Sequence, residues 1–432
     1  MKRNRRMETV ACAGLGMSLL LTACGGANDS ESGGAAGSPA GSSAAVKTIH
    51  IYQNKIEIDE ALKKTAEAYT ALHPDVQFQI DSISDNFSTG LKTKQAAGEL
   101  PDVFTVLGNQ DLKLWQSQLE DLSDQPWTGD MIDIARQGIT GDDGKIYGLP
   151  VSIEGYGYVY NKQLFEKAGI AEVPVTLSDL KAAAEKLRTA GIQPLIGAYM
   201  DWYQAGNFLV NMGIARQPDP QAFINGLYDG SATFVGNEIF KEVAEFIKYD
   251  YDQGENGLST SFNMQTSALS GGTVAMTLGG NWLQPTLDSA NPELETGLMP
   301  LPVNDNAEEN DKLYMGVTGY WAISKDSEVK QEVKDFFNWL VTTPEGQAHI
   351  TKDMKMIPAF NSFSANDEDI GDLGSDLSRY VKEGKVYGSY NSYYPDGVAQ
   401  AFGEAVQKLV AGKVDTDGFL QELQNEWDRL AS

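Results

Sequence analysis

The sequence predicts an α/β fold built in more than one lobe. Strand and helix signals alternate from Thr48 onward, and such alternation implies a parallel sheet with right-handed crossovers. The chain has 432 residues, 41% hydrophobic and 22% charged, which is a globular composition. A single core stops growing near ~250–300 residues, so this length calls for at least two.

The N-terminal segment is an address. Lys2, Arg3, Arg5 and Arg6 precede an apolar run from Val10 to Leu21. That run falls short of the ~20 residues of a spanning helix and suits the apolar centre of a signal peptide. It ends in Leu21-Thr22-Ala23-Cys24, which resembles a bacterial lipobox. Residues 1–23 are then a lipoprotein signal peptide, and Cys24 carries lipid. Ordinary signal cleavage beside an incidental cysteine is the plainer alternative. The stretch 24–45 is dominated after its cysteine by Gly, Ala and Ser. It cannot bury a core and reads as a flexible tether with a mean reach on the order of 25 Å. The expected location is the extracellular face of the cell membrane.

Lys plus Arg is 33 and Asp plus Glu is 60, for a formal charge of −27. Removing residues 1–23 takes four basic residues and one acidic one, leaving 29 against 59, or −30. Nucleic acid and anionic membrane surfaces are polyanions that basic faces bind, so neither is an expected partner. The only cysteines are Cys12 and Cys24, and the histidines are His50, His73 and His349. A disulfide framework, a Cys- or His-based metal centre and a bound cofactor are therefore not expected.

In the body, Thr48 to Tyr52 reads as a buried strand. Ile58, Ala61, Leu62, Thr65, Ala66, Tyr69 and Leu72 recur at helical spacing, and His73-Pro74 stops that helix. Val76 to Ile83 is a second strand, Phe87 to Ala97 a helix ended by Gly98, and Val103 to Val106 a third strand. Thr176 with Asp179 caps a helix over Leu177 to Thr189. Further stripes follow at Phe240 to Tyr251, Val329 to Leu340, Val398 to Leu409 and Phe419 to Leu430, with Val274 to Thr277 as a short strand. Pro344 suits the first position of another helix. These stripes are core faces and carry no function. The polar run Asn304 to Asp311 reads as a solvated turn.

Several chemistries lack their motifs. No phosphate-binding loop, H-E-x-x-H or G-x-S-x-G is present. Gly155-Tyr156-Gly157 begins like a dinucleotide fingerprint, but Tyr160 stands where the third glycine belongs. Asp367, Asp369 and Gly371 mimic part of a calcium loop, but Ser378 replaces its bidentate glutamate. A spatial pair of carboxylates for glycoside hydrolysis needs no local motif and stays open at this level.

Open α/β sheets bind ligands beyond the carboxyl ends of their strands. Gln53, Asn54, Lys55 and Glu57 follow the first strand, Asp85 and Asn86 the second, and Asn109 the third. This mixture of donors and acceptors suits a polyhydroxylated ligand, although any one of these residues also serves as a helix cap. Aromatics sit in glycine- and proline-punctuated segments: Trp202, Tyr203, Trp282, Tyr320, Trp321, Tyr393 and Tyr394, the last pair before Pro395-Asp396. Such residues combine apolar area with a polar handle and suit stacking on a pyranose, or else are partly buried core. Trp115, Trp127, Trp339 and Trp427 lie in helical or capping contexts and read as core.

Six stretches in a fixed order carry a family resemblance: Gly98-Glu99-Leu100-Pro101-Asp102-Val103, Lys145-Ile146-Tyr147-Gly148-Leu149-Pro150, Glu154 with Tyr160-Asn161-Lys162, Gly271 to Met276 with Gly279-Gly280-Asn281-Trp282, Gly319-Tyr320-Trp321-Ala322-Ile323-Ser324, and Trp339-Leu340 with Thr343-Pro344-Glu345-Gly346. Together they resemble the family 1 extracellular solute-binding proteins of ABC importers, which include maltose- and oligosaccharide-binding proteins. The resemblance implies a two-lobed periplasmic-binding-protein-like fold of type II. Each lobe would be a mostly parallel sheet flanked by helices, with sugar in the cleft between them. Lobe 1 would take residues 46–153 and 317–360, and lobe 2 residues 154–316 and 361–432, with crossings near Ser152–Glu154, Gly316–Tyr320 and Ala359–Ser364. It implies ligand contacts at Asn54, Lys55, Glu57, Asn109, Glu154, Trp202, Tyr203, Trp282, Tyr320, Tyr394 and Asp396. Some relatives carry a Trp where this chain has Tyr393-Tyr394-Pro395-Asp396, which, with the Lys, Asn and Asp set around an aromatic, turns the expectation from malto-oligosaccharide toward an α-galactoside such as raffinose or melibiose, or a related multiple-sugar ligand. The implied partners are an oligosaccharide, the permease subunits of an importer and the membrane through the lipid on Cys24, with the protein itself a monomer and not an enzyme. Two other readings stand beside it: a cell-surface glycosidase, and a binder of a cationic solute such as a polyamine.

Overall fold

The computed structural model describes residues 45–83, 86–255, 257–363 and 365–431. The expected signal peptide, Cys24, the tether up to residue 44, Asp85 and Ser364 lie outside the described residues.

Local signals fix most helices. The first long helix, Asp59–Leu72, buries Leu62, Thr65, Ala66 and Tyr69 along one face, as the helical spacing predicts. Leu72, the last residue of the helix, is exposed instead. Phe87–Ala97 ends at Gly98, which takes a left-handed conformation with φ 72° that other residues adopt at a cost. Leu177–Thr189 starts on the Thr176 side chain, which accepts a bond from the Asp179 amide. Trp115, Trp127, Trp339 and Trp427 are all buried.

Two sheets organise the chain. The first comprises β1 (Lys47–Gln53), β2 (Val76–Ser82), β3 (Val103–Val106), β4 (Leu149–Pro150) and β10 (Tyr320–Ile323), in the order β2-β1-β3-β10-β4. The second comprises β5 (Ile153–Asn161), β6 (Gln193–Ile196), β7 (Val274–Gly280), β8 (Thr296–Met299), β9 (Leu313–Val317) and β11 (Val386–Gly388). Its order is β11-β9-β5-β7-β6, and β8 also pairs with β5. One large core packs on the first sheet around Phe104, Trp115 and Phe336. Another packs on the second around Tyr158, Phe240 and Trp427. The strands leave the first sheet between β4 and β5 and return to it between β9 and β10.

The sheets are mixed rather than mostly parallel, which corrects the expectation. β1 runs parallel to β2 and β3, but β10 is antiparallel to β3 and β4. In the second sheet β5 is antiparallel to β7, β8 and β9. The right-handed crossover rule governs strands joined by a helix within one sheet. β5 and β10 instead enter straight from the other lobe, so nothing forces them parallel. Gly155-Tyr156-Gly157 lies inside β5: a Cβ on Gly157 would sit 2.1 Å from the Met299 carbonyl oxygen. That glycine lets β8 approach and has nothing to do with a dinucleotide.

The run Asn304–Asp311 is solvated along most of its length, with residues 305–309 exposed, but it is more than a turn. It holds a short helix, Ala307–Asn310, and Asn310 is buried. The Asn310 side chain accepts from the Val303 amide and donates to the Asn304 carbonyl, which ties the turn to the core.

Candidate functional site

β1 delivers its following residues to the lobe interface. Gln53 is buried, and its side chain both accepts from the Lys55 amide (2.6 Å) and donates to the Lys55 carbonyl (2.7 Å). This clamp fixes the backbone of Asn54, which is half-buried, and of Lys55. The Lys55 ammonium reaches Glu57 at 3.1 Å and makes a short contact with Glu154 on β5. The second Glu154 oxygen accepts from the Thr318 hydroxyl at 2.7 Å. Thr318 stands in the crossing between β9 and β10. Three segments distant in sequence thus converge on one carboxylate.

The side chains of Lys55, Glu57 and Glu154 are 12%, 13% and 8% exposed. Burial works to lower the Lys55 pKa, but the charges and hydrogen bonds of Glu154 and Glu57 outweigh it and hold the ammonium above its ordinary value. A buried charge this well paired stays ionised and presents fixed donors and acceptors.

An aromatic wall stands beside this cluster. Tyr156 pairs with Gly280 across β5 and β7, and the Asn281 side chain accepts from the Gly155 amide at 2.9 Å. Trp282 is therefore held beside Gly155, the residue after Glu154, with its ring over Gly280, where a Cβ would lie 2.2 Å from it. The helix that follows Trp282 touches the turn Ile56–Ile58 after Lys55. Trp282 packs against Phe208 at 5.3 Å between centroids, Phe208 against Tyr203 at 6.2 Å, and Tyr203 against Trp202 at 6.5 Å. Trp202 is exposed, whereas Tyr203, Phe208 and Trp282 are half-buried. Phe208 lies in a π-helical segment, Gln204–Leu209, a rare geometry that is frequent at functional sites.

On the far side, residues 389–396 reach from the second lobe to the first. Asn109, in a left-handed conformation with φ 41° that asparagine tolerates, donates to the Ser392 hydroxyl at 2.8 Å. Lys92 pairs with Asp396 at 2.6 Å.

The expected residues therefore divide. Lys55, Glu57 and Glu154 form one cluster with Asn54 beside it, and Trp202, Tyr203 and Trp282 form the wall. Asn109 and Asp396 meet the opposite lobe. Tyr320 is a correction: it is 1% exposed, and its hydroxyl end fills the space above Gly138 in the first core. Tyr394 is another, 5% exposed and packed on Phe402 and Trp427. Burial pushes both phenol pKa values up. All four residues of β10 are buried, so Tyr320 is core whichever face it takes, which a punctuation argument does not see. Sequence reasoning missed Phe208, Thr318, Lys92 and Ser392. Phe208 sits in an apolar stretch with no distinguishing signal.

Comparison with known proteins adds a family. A family model described as bacterial extracellular solute-binding protein matches residues 53–348. The melibiose/raffinose/stachyose-binding protein MelE of Bacillus subtilis (strain 168) is 23% identical over 411 residues, spanning 89% of this chain and 90% of that protein. Among solved structures, a sugar transporter from Bacillus licheniformis in complex with stachyose superposes with a TM-score of 0.72 at 20% identity, covering 89% of this chain and 100% of the other. A probable secreted solute-binding lipoprotein from Streptomyces coelicolor gives 0.66 at 18% identity, covering 88% and 98%. The two sheets described above are those of this two-lobed fold.

Proposed function

The chain belongs to the bacterial extracellular solute-binding proteins, and on that premise we propose that it captures an oligosaccharide between its lobes and hands it to the permease of an ABC importer. The family is one of solute binders, which speaks against the glycosidase reading. The observation that carries the proposal is that β5 bears both the buried Glu154, paired with Lys55, and, at the next residue, the Gly155 amide that holds Asn281 and so anchors the Trp282–Phe208 wall. A sugar offers hydroxyls to the first and the apolar face of a ring to the second. The same cluster argues against a polyamine, because the Lys55 ammonium already stands between the two carboxylates and would repel a second cation.

The ligand class favoured is an α-galactoside such as raffinose, melibiose or stachyose, in keeping with what the Bacillus relatives are named for. The proposed division is residues 46–153 with 317–360 for one lobe and 154–316 with 361–432 for the other. Ligand bridges the lobes and stabilises their closed arrangement by hinge motion. Lipid on Cys24 and the tether keep the domain at the extracellular membrane face near its permease. Sub-micromolar capture requires about 8 kcal/mol of net binding energy.

The test is calorimetry of the delipidated protein against raffinose, stachyose, maltotriose, xylo-oligosaccharides and spermidine, paired with small-angle scattering. Saturable binding of a galactoside with a smaller radius of gyration and no released product is expected. Silence toward every saccharide, or cleavage of one, would overturn the proposal.

A further inference from the structure

One buried side chain stands between the aromatic wall and the segment that reaches the other lobe. Asn211 lies in the helix Val210–Ala215, directly after the π-helical segment, and is 0% exposed. Its amide nitrogen donates to the Tyr156 hydroxyl at 2.9 Å and to the Gly388 carbonyl at 3.2 Å. Its amide oxygen accepts from the Tyr390 backbone N–H at 2.7 Å. Both amide protons and the oxygen are therefore engaged, so the orientation of the side chain is fixed.

Each bond leads somewhere. The Tyr156 hydroxyl donates onward to the Phe208 carbonyl at 3.0 Å, and the Tyr156 ring packs on Phe208 at 4.6 Å between centroids. Phe208 in turn carries Trp282. In the other direction, Tyr390 begins the turn whose Ser392 accepts from Asn109 of the first lobe. The Ser389 side chain bonds Asn391, and the Ser389 amide bonds the Met315 carbonyl, so the turn hangs from β9 and from Asn211.

We propose that Asn211 is a positioning residue that couples the Phe208–Trp282 wall to the 389–396 segment, so that the seat of a sugar ring and the closing contact between lobes are set together. This rests on the sugar-binding reading above. The physical basis is that a fully satisfied buried network holds one arrangement and transmits displacement, whereas a partly satisfied one does not. If the wall shifts under a stacked ring, Tyr156 and Asn211 move the Tyr390 amide with it.

Asn211 itself is a poor place to cut, because its loss leaves several buried polar groups unpaired and endangers folding. The two arms are cut instead. Tyr156→Phe keeps the ring and removes the hydroxyl; Ser392→Ala removes the acceptor of Asn109. The two altered groups share no hydrogen bond with each other. Affinity for raffinose and stachyose is measured for wild type, both single variants and the double variant, with melting temperature alongside. Each single variant is expected to lose about three- to tenfold in affinity. The double variant is expected to bind within about twofold of the weaker single one, since either cut already uncouples the arms. Losses that multiply would overturn the coupling while leaving sugar binding intact. Should Tyr156→Phe not fold, scattering on Ser392→Ala decides: under coupling, the ligand-induced contraction shrinks along with the affinity, and an undiminished contraction overturns it. A wild type that ignores both sugars would overturn the functional reading and this inference together.

Discussion

Two of the contacts between the lobes are of opposite character. Deep in the interface, Lys55 is enclosed by Glu57 and Glu154, with every side chain nine-tenths buried or nearly so. At the outer edge, Lys92 meets Asp396 with side chains 40% and 73% exposed. Both contacts are ion pairs, yet their energetics differ in kind. Removing one member of a buried pair strands a charge in low dielectric and costs ~3–5 kcal/mol. An exposed pair gains little over hydrated ions and is screened by salt. The deep contact therefore specifies how the lobes meet, and the outer one only biases how long they stay together.

The largest effect should follow from Glu154→Leu. It removes one of the two carboxylates of Lys55 and the acceptor of Thr318, and about 3 kcal/mol of unfolding free energy should be lost in urea denaturation. The loss also carries a pH signature. The folded pKa of Lys55 is raised, so its stabilisation is present in full below the unfolded lysine value of about 10.4 and declines as pH rises toward the folded value. The stability gap between wild type and Glu154→Leu should narrow above that pH. A gap that is small or independent of pH would place the deep contact in the same class as the outer one.

Trp282→Ala comes next. It removes a half-buried ring from beside the cluster, and sugar binding should weaken by about 1–3 kcal/mol in calorimetry. Unchanged affinity would make Trp282 a core residue only. Lys92→Ala should cost less than about 1 kcal/mol in binding at low salt and nothing measurable at 0.5 M salt. A large, salt-insensitive loss would break the contrast between the two contacts. The smallest effect belongs to Tyr394→Phe. The buried Tyr394 hydroxyl has no hydrogen-bond partner among the described residues, so affinity and stability should stay within about 0.5 kcal/mol of wild type.

How much of this was legible depends on the range of the signal. The helix Phe87–Ala97 and the strand Val103–Val106 appear as predicted, because capping glycines and apolar runs act within a few residues. Of the strands, only β1, β2, β3 and β7 are predicted from the sequence; β4, β5, β6, β8, β9, β10 and β11 are not. Gln53, Asn54, Lys55 and Glu57 were found by position alone, since the end of a strand in an α/β sheet is where ligands bind. Glu154 came from a motif rather than from chemistry. Its bond to Lys55 joins residues 99 apart, and no local pattern reports such a pairing.

Tyr320 and Tyr394 mark the same limit from the other side. Both stand in punctuated segments, as Trp202 does, yet both are buried and Trp202 is exposed. By itself the sequence determined several long helices and the strands β1, β2, β3 and β7, that the body needs more than one core, and which polar groups sit at the first strand ends. Periodicity and capping are short-range physics, and they survive without knowing the neighbours. The tertiary structure alone decided which aromatics face outward, which way β5 and β10 run, and which charges pair. Those depend on where the chain crosses between lobes, and the energy of a contact exists only once its distant partner has arrived.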